Sequence, residues 1–442
     1  MAKPRALIFR FDDNMIRSSV FITMISLTGT FLGFLGQIFI AQRYGLGVAV
    51  DAYLFAVSVP IFVASIITGI MSHEFVPKIV VLDPDPTYRA RFITTLLFGC
   101  FGITVIVGVG GVSFGVLQLQ ILPAESPTRT YEGVTLLLSL AWIFAAFQIL
   151  QGAIVAILNA YQKYLFGASL LLFPYVGLLL SLNVESALGV STLLLGLLSG
   201  VMVAILVGLF IIRSVTPLRI DRWLWPDIRH LFTGSAYAAI AMIVFSSFTV
   251  VDAYWASFAT QGTLATLGLS QRIIIGFGNL AVAGPIVLLA PRLAQLLKDN
   301  DHYGFRLTLR HMLLIAAAIS IALALTLAIF AKDLVNLLFA RGSFSSADVI
   351  SVAQTLRFIA PGMVFMLLSS IALRALFCLD GGAKSASRLG LAWAAAYFGA
   401  SGLTYHYGAP GIALGYSAVW LVYFLIIVSI ISRQTSLPKQ NR

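Results

Sequence analysis

Residues 190–212 read VSTLLLGLLSGVMVAILVGLFII, a stretch that contains no charged side chain. It is longer than the roughly 20 apolar residues that an α-helix needs to cross the hydrocarbon core of a membrane. The whole chain has a similar composition, since 60% of its 442 residues are hydrophobic, 10% are charged, and the mean hydropathy is +0.98. Soluble domains carry about 25% charged residues. The composition therefore excludes a soluble fold and indicates an integral membrane protein.

Similar apolar runs recur along the chain and predict about twelve transmembrane helices, each of roughly 20 residues. They begin near Ser19, Tyr53, Phe92, Val134, Leu165, Val190, Leu231, Thr263, Met312, Val352, Leu389 and Gly411. The runs are unbroken, whereas the strands of a membrane β-barrel alternate apolar and polar residues over about ten positions. The charged segment before Ser19 and the length of the run after it do not match a signal peptide. We expect the first run to remain in the protein as a helix.

An even number of spans places both termini on the same side of the membrane. Most of the 28 Lys and Arg residues fall in the loops and tails of that side. Because loops rich in Lys and Arg stay in the cytoplasm, we expect a multi-pass protein of the bacterial inner membrane with both termini cytoplasmic. The net charge of +11 follows from this distribution and does not indicate a nucleic-acid partner.

The two halves of the chain resemble each other in three places. The matched pairs are Pro77–Ile79 with Pro291–Leu293, Gly45–Gly47 with Gly262, and Ala156–Asn159 with Ala375–Cys378. An even number of spans per half makes this a parallel repeat, as in transporters built from two facing bundles. We therefore predict an all-α fold of two pseudo-symmetric six-helix bundles.

The predicted boundaries follow from this repeat. They are a cytoplasmic segment 1–18, an N-terminal bundle 19–213, a cytoplasmic linker 214–230, a C-terminal bundle 231–432 and a cytoplasmic tail 433–442.

Four charged residues fall inside predicted spans, where an ionisable side chain is costly and indicates function. Asp252 lies in the seventh span and Arg272 in the eighth, so both are candidates to face one cavity. We predict substrate binding by Arg272, and coupling-ion binding or an ion pair for Asp252. Arg357 and Arg374, in the tenth span, are further candidates for substrate binding. The alternative for these two is that they extend to the membrane surface.

The remaining motifs indicate structure rather than catalysis. The loop Leu338–Asp348 reads LFARGSFSSAD, and Ser345 or Ser346 with Asp348 predicts a helix start. No catalytic triad, carboxylate pair, metal-ligand spacing or complete phosphate loop is present in the sequence. The two cysteines, Cys100 and Cys378, support neither a disulfide framework nor a thiolate metal site. We therefore expect no enzyme activity, no metal and no organic cofactor.

Several of these residues resemble the MurJ/MviN family of lipid II flippases, in the multidrug, oligosaccharidyl-lipid and polysaccharide exporter superfamily. The resemblance rests on Tyr44–Gly47, Asp51–Tyr53 and Pro60, on Phe75–Pro77, on Leu338–Asp348, and on Asp252 with Ser270–Arg272. It implies a V-shaped pair of six-helix bundles that carries a polyprenyl-pyrophosphate saccharide to the outer leaflet. This MOP-type fold agrees with the internal repeat.

The chain departs from the family at the substrate site. The family's arginines in the first two spans correspond to Thr30, Gly36 and Ala64 here, and Ile275 replaces a glutamate that usually follows the eighth-span arginine. Phosphate recognition relies on charge-assisted hydrogen bonds. These departures weaken the case for lipid II in particular and favour a related lipid-linked glycan.

The sequence thus predicts a flippase for lipid II or a related cell-envelope glycan precursor, working by alternating access. We expect it to act as a monomer among membrane lipids, with glycan-synthesis enzymes as candidate partners. Coupling to sodium ions, protons or the membrane potential remains open. The alternatives are a cation-coupled multidrug antiporter that uses Asp252, and a non-transporting scaffold of an envelope-synthesis complex.

Overall fold

The computed structural model describes residues 13–80, 85–184, 186–219, 224–225, 236–299, 301–379 and 381–436. These ranges are almost entirely α-helical and contain no β-strand. In hydrocarbon the backbone finds no water, so each crossing segment must satisfy its own N–H and C=O groups. The structure confirms the predicted all-α polytopic fold.

The N-terminal half forms bundle 1. Its helices are α1 (Asp13–Tyr44), α2 (Val48–Val80), α3 (Pro86–Gln120), the short α4 (Pro127–Thr130), α5 (Val134–Ala160), α6 (Tyr164–Leu170), α7 (Phe173–Ser181) and α8 (Ser191–Val215). Helices α6 and α7 make one crossing, Tyr164–Ser181. The crossing is interrupted before α7, where Pro174 lies in the first turn and has no N–H to donate to the preceding helix.

The C-terminal half forms bundle 2. Its helices are α9 (Ala236–Ala256), α10 (Thr263–Lys298), α11 (His302–Ile329), α12 (Ala331–Phe339), α13 (Ser346–Phe377), α14 (Gly382–Thr404) and α15 (Gly408–Ser436), with a 3-10 turn at Tyr405–Tyr407. Helix α12 was not predicted. It is short and amphipathic, and it buries Ala331, Val335 and Phe339 on one face.

A helix is present at each of the twelve predicted spans. Eight stretches of the described residues are long and apolar enough to cross a membrane, and the last of them, Lys384–Thr435, contains both α14 and α15. The other predicted spans correspond to α1, α9 and α10. The predicted helix start in the 338–348 loop is also confirmed, because Ser345 and Asp348 form a reciprocal capping box at the N-terminus of α13.

The two bundles repeat one packing pattern. In bundle 1, α5 packs against α2, α3 and α8, and in bundle 2 the equivalent α13 packs against α10, α11 and α15. The contacts of α7 with α8 and of α1 with α6 and α7 are likewise repeated by α14 with α15 and by α9 with α14. The packing therefore matches the internal repeat expected from the sequence.

The predicted boundaries fall partly outside the described residues. This applies to most of the segment 1–18, to much of the linker 214–230 and to the end of the tail 433–442. At the start of the linker, the backbone N–H of Arg219 donates to Oγ1 of Thr94 on α3 at 3.0 Å. The boundaries themselves stay predictions.

The connections between helices lie at two opposite ends of the molecule, which we name separately. The terminal end carries residues 13 and 436, and the opposite end carries the connections around residues 45, 262 and 343. At the opposite end hydrogen bonds join the two bundles, so we call it the closed end. There the Ser343 N–H donates to the carbonyl of Gln42 at 2.7 Å, and the Ser343 hydroxyl donates to the carbonyl of Arg43 at 3.0 Å.

Asp51 makes the most buried of these inter-bundle connections. Its side chain is 6% exposed, and it accepts hydrogen bonds from the backbone N–H groups of Gly262 at 2.6 Å and Ala265 at 2.8 Å. Asp51 is on α2, whereas both donors belong to the N-terminus of α10. The first N–H groups of a helix lack intrahelical partners and carry partial positive charge. A carboxylate of bundle 1 therefore caps a helix of bundle 2.

Gly262 shows how closely the bundles approach each other at this point. Its φ is +83°, and a Cβ atom there would lie 2.7 Å from the carbonyl oxygen of Leu46 in bundle 1. Any larger residue would meet both backbone strain and a steric clash with bundle 1. The closed end is thus a tight backbone contact between the bundles.

We predict that Asp51→Asn opens the closed end. The amide removes the negative charge that faces the N-terminus of α10, and its nitrogen cannot accept from one of the two backbone N–H groups. A charge at a helix N-terminus is worth about 0.3–2 kcal/mol, which corresponds to a roughly 2- to 30-fold shift in population. Spin labels attached at Glu125→Cys in bundle 1 and Arg341→Cys in bundle 2, in a Cys378→Ser background, report the distance between the bundles by pulsed electron paramagnetic resonance. The matched control is Asp85→Asn, because Asp85 caps α3 within bundle 1. Identical distance distributions in the labelled parent protein, in Asp51→Asn and in Asp85→Asn would contradict the role of Asp51.

Candidate functional site: a cavity between the bundles

A cavity of about 380 Å³ lies between the two bundles. Bundle 1 contributes residues of α1, α2 and α7, and bundle 2 contributes residues of α9 and α10. Most of the lining is apolar, and its polar side chains are Thr30, Ser58, Tyr175, Thr249, Asp252, Gln271 and Arg272. Apolar walls with a few convergent polar groups are typical of ligand sites.

Arg272 supplies the positive charge of this cavity. It lies about 13 Å from Thr263 along α10, at 1.5 Å per residue, and therefore well inside the predicted eighth span. Its side chain is exposed to the cavity, whereas the neighbouring Ile273 and Ile274 are fully buried in bundle 2. A guanidinium group presents five N–H donors in a planar fork that fits phosphate and carboxylate oxygens. The position and chemistry of Arg272 suit an anionic ligand.

Asp252 borders the same cavity but is directed into bundle 2. It is 2% exposed, the hydroxyl of Tyr397 donates to its Oδ1, and the side-chain amide of Gln271 donates to its Oδ2. These donors lie on α14 and α10, so the carboxylate on α9 connects three helices. Both carboxylate oxygens are thus bonded to neutral groups of bundle 2 itself.

Tyr397 is held firmly in place by aromatic neighbours. It is fully buried, its ring stacks on Trp393 at a centroid distance of 5.3 Å, and it meets Tyr416 edge to face at 5.6 Å. Such packing fixes the direction of the Tyr397 hydroxyl towards Asp252.

The structure brings Arg272 and Asp252 to one cavity, as the sequence suggested, and places the other two candidates elsewhere. Arg357 is exposed, and its Nε donates to the carbonyl of Ala328 on α11 at 3.2 Å. Arg374 is exposed in the last turn of α13. Among the described residues, α13 contributes none to the cavity lining. Substrate binding by Arg357 and Arg374 stays a prediction that this geometry does not support.

The positions at which the chain departs from the family pattern fall into two groups, one inside the cavity and one outside it. Thr30 and Ile275 line the cavity. Ala64, in contrast, is 1% exposed inside bundle 1, and Gly36 faces α7, where a Cβ atom would lie 2.8 Å from Leu178. An arginine at either of these two positions would require repacking of bundle 1.

Sequence reasoning missed two residues of this site. Gln271 stands beside Arg272 in the motif Ser270–Arg272, but nothing in the sequence indicated that its amide reaches Asp252. Tyr397 lies in an apolar run, where a tyrosine usually indicates ordinary packing. Only the pairing of α9 with α14 shows its role. Within the described ranges, no group of three or more His, Cys, Asp and Glu residues is placed to bind a metal.

We predict that Tyr397→Phe destabilises the protein by about 1–2 kcal/mol, the upper range for a hydrogen bond between membrane helices. Denaturant unfolding in mixed micelles measures the change. Tyr416→Phe is the matched control, because Tyr416 is a buried tyrosine of the same cluster whose hydroxyl donates to the weak acceptor Sδ of Met366, at 3.2 Å, and not to a carboxylate. An equal or larger loss in the control would contradict the importance of the Asp252 contact.

Comparison with known proteins relates this chain and its fold to two groups of transporters. Residues 40–442 match the family model of the lipid II flippase MurJ. The probable lipid II flippase MurJ of Vibrio cholerae is 24% identical over 386 residues, which cover 82% of this chain and 72% of that protein. The corresponding protein of Haemophilus influenzae is 24% identical over 379 residues, with coverages of 79% and 73%.

Solved structures show the same architecture. A lipid II flippase MurJ in an inward closed conformation matches with a TM-score of 0.77 and 19% identity, covering 93% of this chain and 87% of that one. An inward-facing MATE family transporter matches with a TM-score of 0.74 and 13% identity over 94% and 96% of the two chains. An outward-facing MATE family transporter gives a TM-score of 0.58 at 15% identity, covering 96% of each chain.

Proposed function

Because the chain belongs to the MurJ family of lipid II flippases, we propose that it moves a polyprenyl-pyrophosphate-linked saccharide from one leaflet of the membrane to the other. The observation that carries the proposal is the cavity between the bundles, where Arg272 is exposed well inside the predicted eighth span. A site of this kind binds a charged head group while the lipid tail stays in the bilayer.

Arg272 is the group that engages the phosphates. In the low dielectric of the membrane, a guanidinium and a phosphate oxygen attract each other strongly and form charge-assisted hydrogen bonds. Thr30, Ser58 and Thr249 add hydroxyl groups on both sides of the cavity. By sequence, the other cations of α1, α2, α9 and α10 lie close to the helix ends. The phosphates of the cargo are therefore expected to bind at Arg272.

Alternating access follows from the arrangement of the bundles. In this conformation the closed end is sealed by Asp51 and Ser343, so the cargo enters from the terminal end. Transport requires these contacts to break and equivalent contacts to form at the terminal end. Helix α2 packs against both α9 and α10, so it forms a large part of the interface along which the bundles move.

Asp252 is the proposed coupling residue. Its carboxylate joins α9, α10 and α14, so binding of a proton or a sodium ion changes the hydrogen bonds among all three helices. Such a change biases one bundle conformation over another, which is how a bound ion drives a conformational equilibrium. The membrane potential is the alternative driving force, acting on the charge of the cargo.

The proposed orientation places the protein in the bacterial inner membrane with the terminal end in the cytoplasm, in agreement with the distribution of Lys and Arg. The closed end then faces outwards. Cargo lipid and bilayer lipids are the partners of the monomer, and the enzymes that synthesise the glycan are candidates for transient contact.

A second candidate function is export of cationic drugs, in exchange for an ion bound at Asp252. The structural similarity to MATE family transporters favours it. The exposed guanidinium of Arg272 opposes it, because a cation in the same cavity would be repelled. Efflux of a cationic dye that is abolished by Asp252→Asn and retained by Arg272→Ala would favour export over lipid transport.

We predict that Arg272→Ala abolishes transport and leaves the protein folded. A fluorescent polyprenyl-pyrophosphate disaccharide in proteoliposomes measures translocation, and thermal unfolding measures stability. Arg272→Lys should retain only part of the activity, since an ammonium group lacks the planar fork. Arg310→Ala is the matched control, because Arg310 is exposed on α11 outside the cavity. Full transport by Arg272→Ala would contradict the proposed function.

We also predict opposite labelling of the two ends in intact cells. In a Cys378→Ser background, Glu132→Cys at the closed end reacts with a membrane-impermeant maleimide. Arg306→Cys at the terminal end reacts only after the cells are opened. Both side chains are exposed, and Cys100 is buried and unreactive. The reverse labelling pattern would invert the proposed orientation.

A further inference from the structure

Bundle 2 contains a second cavity, of about 250 Å³, at the closed end. It lies where the first turns of α10, α13 and α15 meet, outside the site described above. Its floor is made of Thr263 and Thr266, which are 4% and 2% exposed, with Ser351 beside them. The hydroxyl groups of Thr266 and Ser351 lie 3.5 Å apart. The cavity is smaller than most drug-sized sites, which measure about 300–1,000 Å³.

The wall and rim of this cavity carry groups suited to sugar hydroxyls. Gln354 and Gln261 are exposed amides that both donate and accept hydrogen bonds. Asp348 is a carboxylate whose Oδ2 accepts from the Ser345 N–H at 2.8 Å, so Oδ1 is the acceptor that it offers to a ligand. Tyr407 is 76% exposed at the rim and presents an aromatic face. Hydroxyls, amides and a carboxylate beside an exposed aromatic ring match the alternating polar and apolar surfaces of a pyranose.

The second cavity lies across a tight seam from the first. At this seam Leu46, Val50 and Leu54 of bundle 1 and Ala265 and Leu269 of bundle 2 line a void of only about 10 Å³. It shares Leu54 with the first cavity and Leu46 with the second. When the bundles separate at the closed end, Leu46 moves away with bundle 1. The second cavity then borders the path by which the head group leaves.

From this placement we propose that the second cavity binds a saccharide unit of the cargo as the head group leaves through the closed end. The inference rests on the proposed function, because that function supplies a saccharide and a direction. It adds a second binding site for the same molecule. The phosphates stay at Arg272 in the first cavity, and the uncharged sugars bind at Gln354 and Tyr407.

The charges of the lining select a neutral ligand. Among the described lining residues there is no cation, and the carboxylate of Asp348 repels an anion. A calcium ion takes about six to eight oxygen ligands, several of them usually carboxylate oxygens. Here one carboxylate is present, and it is already engaged in the capping box of α13.

Saturation-transfer NMR on the full-length protein in lipid nanodiscs tests the proposal, with the uncharged disaccharide N,N′-diacetylchitobiose as the probe. We expect binding to the unmodified protein and roughly fivefold weaker binding in Gln354→Ala and in Tyr407→Ala, each of which removes one or two contacts. Gln295→Ala and Tyr303→Ala are the matched controls, because both side chains are exposed towards the terminal end. They should bind the disaccharide normally.

The outcome separates this inference from the proposed function. Arg272→Ala should lose transport yet bind the disaccharide normally, because Arg272 lines only the first cavity. Disaccharide binding that Gln354→Ala weakens supports the saccharide site even if Arg272→Ala transports lipid. Three results would overturn the saccharide site: undetectable binding, displacement of the disaccharide by equimolar inorganic phosphate, or binding by Gln354→Ala and Tyr407→Ala that equals binding by the two controls.

Discussion

The hydrocarbon core gives the backbone no hydrogen-bonding partner, and this constraint governs the whole molecule. It requires helices at every crossing and makes each charge within the membrane costly. The few charged groups found there are therefore placed where a partner or a cavity receives them. Asp252 is bonded to Tyr397 and Gln271, and Arg272 is exposed to the cavity between the bundles.

The same constraint explains why contacts at the closed end join the bundles. Apolar helix surfaces contact lipid tails as readily as each other, so close packing and polar contacts must hold helices together. Asp51 provides such a contact by capping α10 from bundle 1, and the backbone of Ser343 provides another at the end of α1. Both bonds lie near the helix ends, where water is available to take their place when the bundles part. An inter-bundle connection of this kind can open and close.

The sequence sufficed for the architecture. The minimum length of an apolar run such as 190–212 follows from the thickness of the membrane, so each crossing could be recognised from sequence. The matched pairs around Pro77 and Pro291 indicated the repeat that the packing shows. Amphipathic α12 was missed, because a nine-residue helix is far shorter than a crossing.

The site was only partly predictable. The cost of an intramembrane charge identified Asp252 and Arg272, but the same rule also selected Arg357, which bonds a carbonyl of α11 away from the cavity. Spacing along one helix does not show which neighbour a side chain meets. Tyr397 reaches Asp252 across 145 positions of sequence, and no local pattern records that distance.

The central claim is that transport requires the bundles to separate at the closed end. Gln42→Cys and Ser343→Cys, in a Cys378→Ser background, place thiols on opposite bundles where the backbone atoms are 2.7 Å apart. A short bis-methanethiosulfonate reagent joins them, and flipping of the lipid-linked saccharide is then followed in proteoliposomes. The account predicts that cross-linked protein stops transport and that dithiothreitol restores it. Undiminished transport by fully cross-linked protein would contradict alternating access through this end.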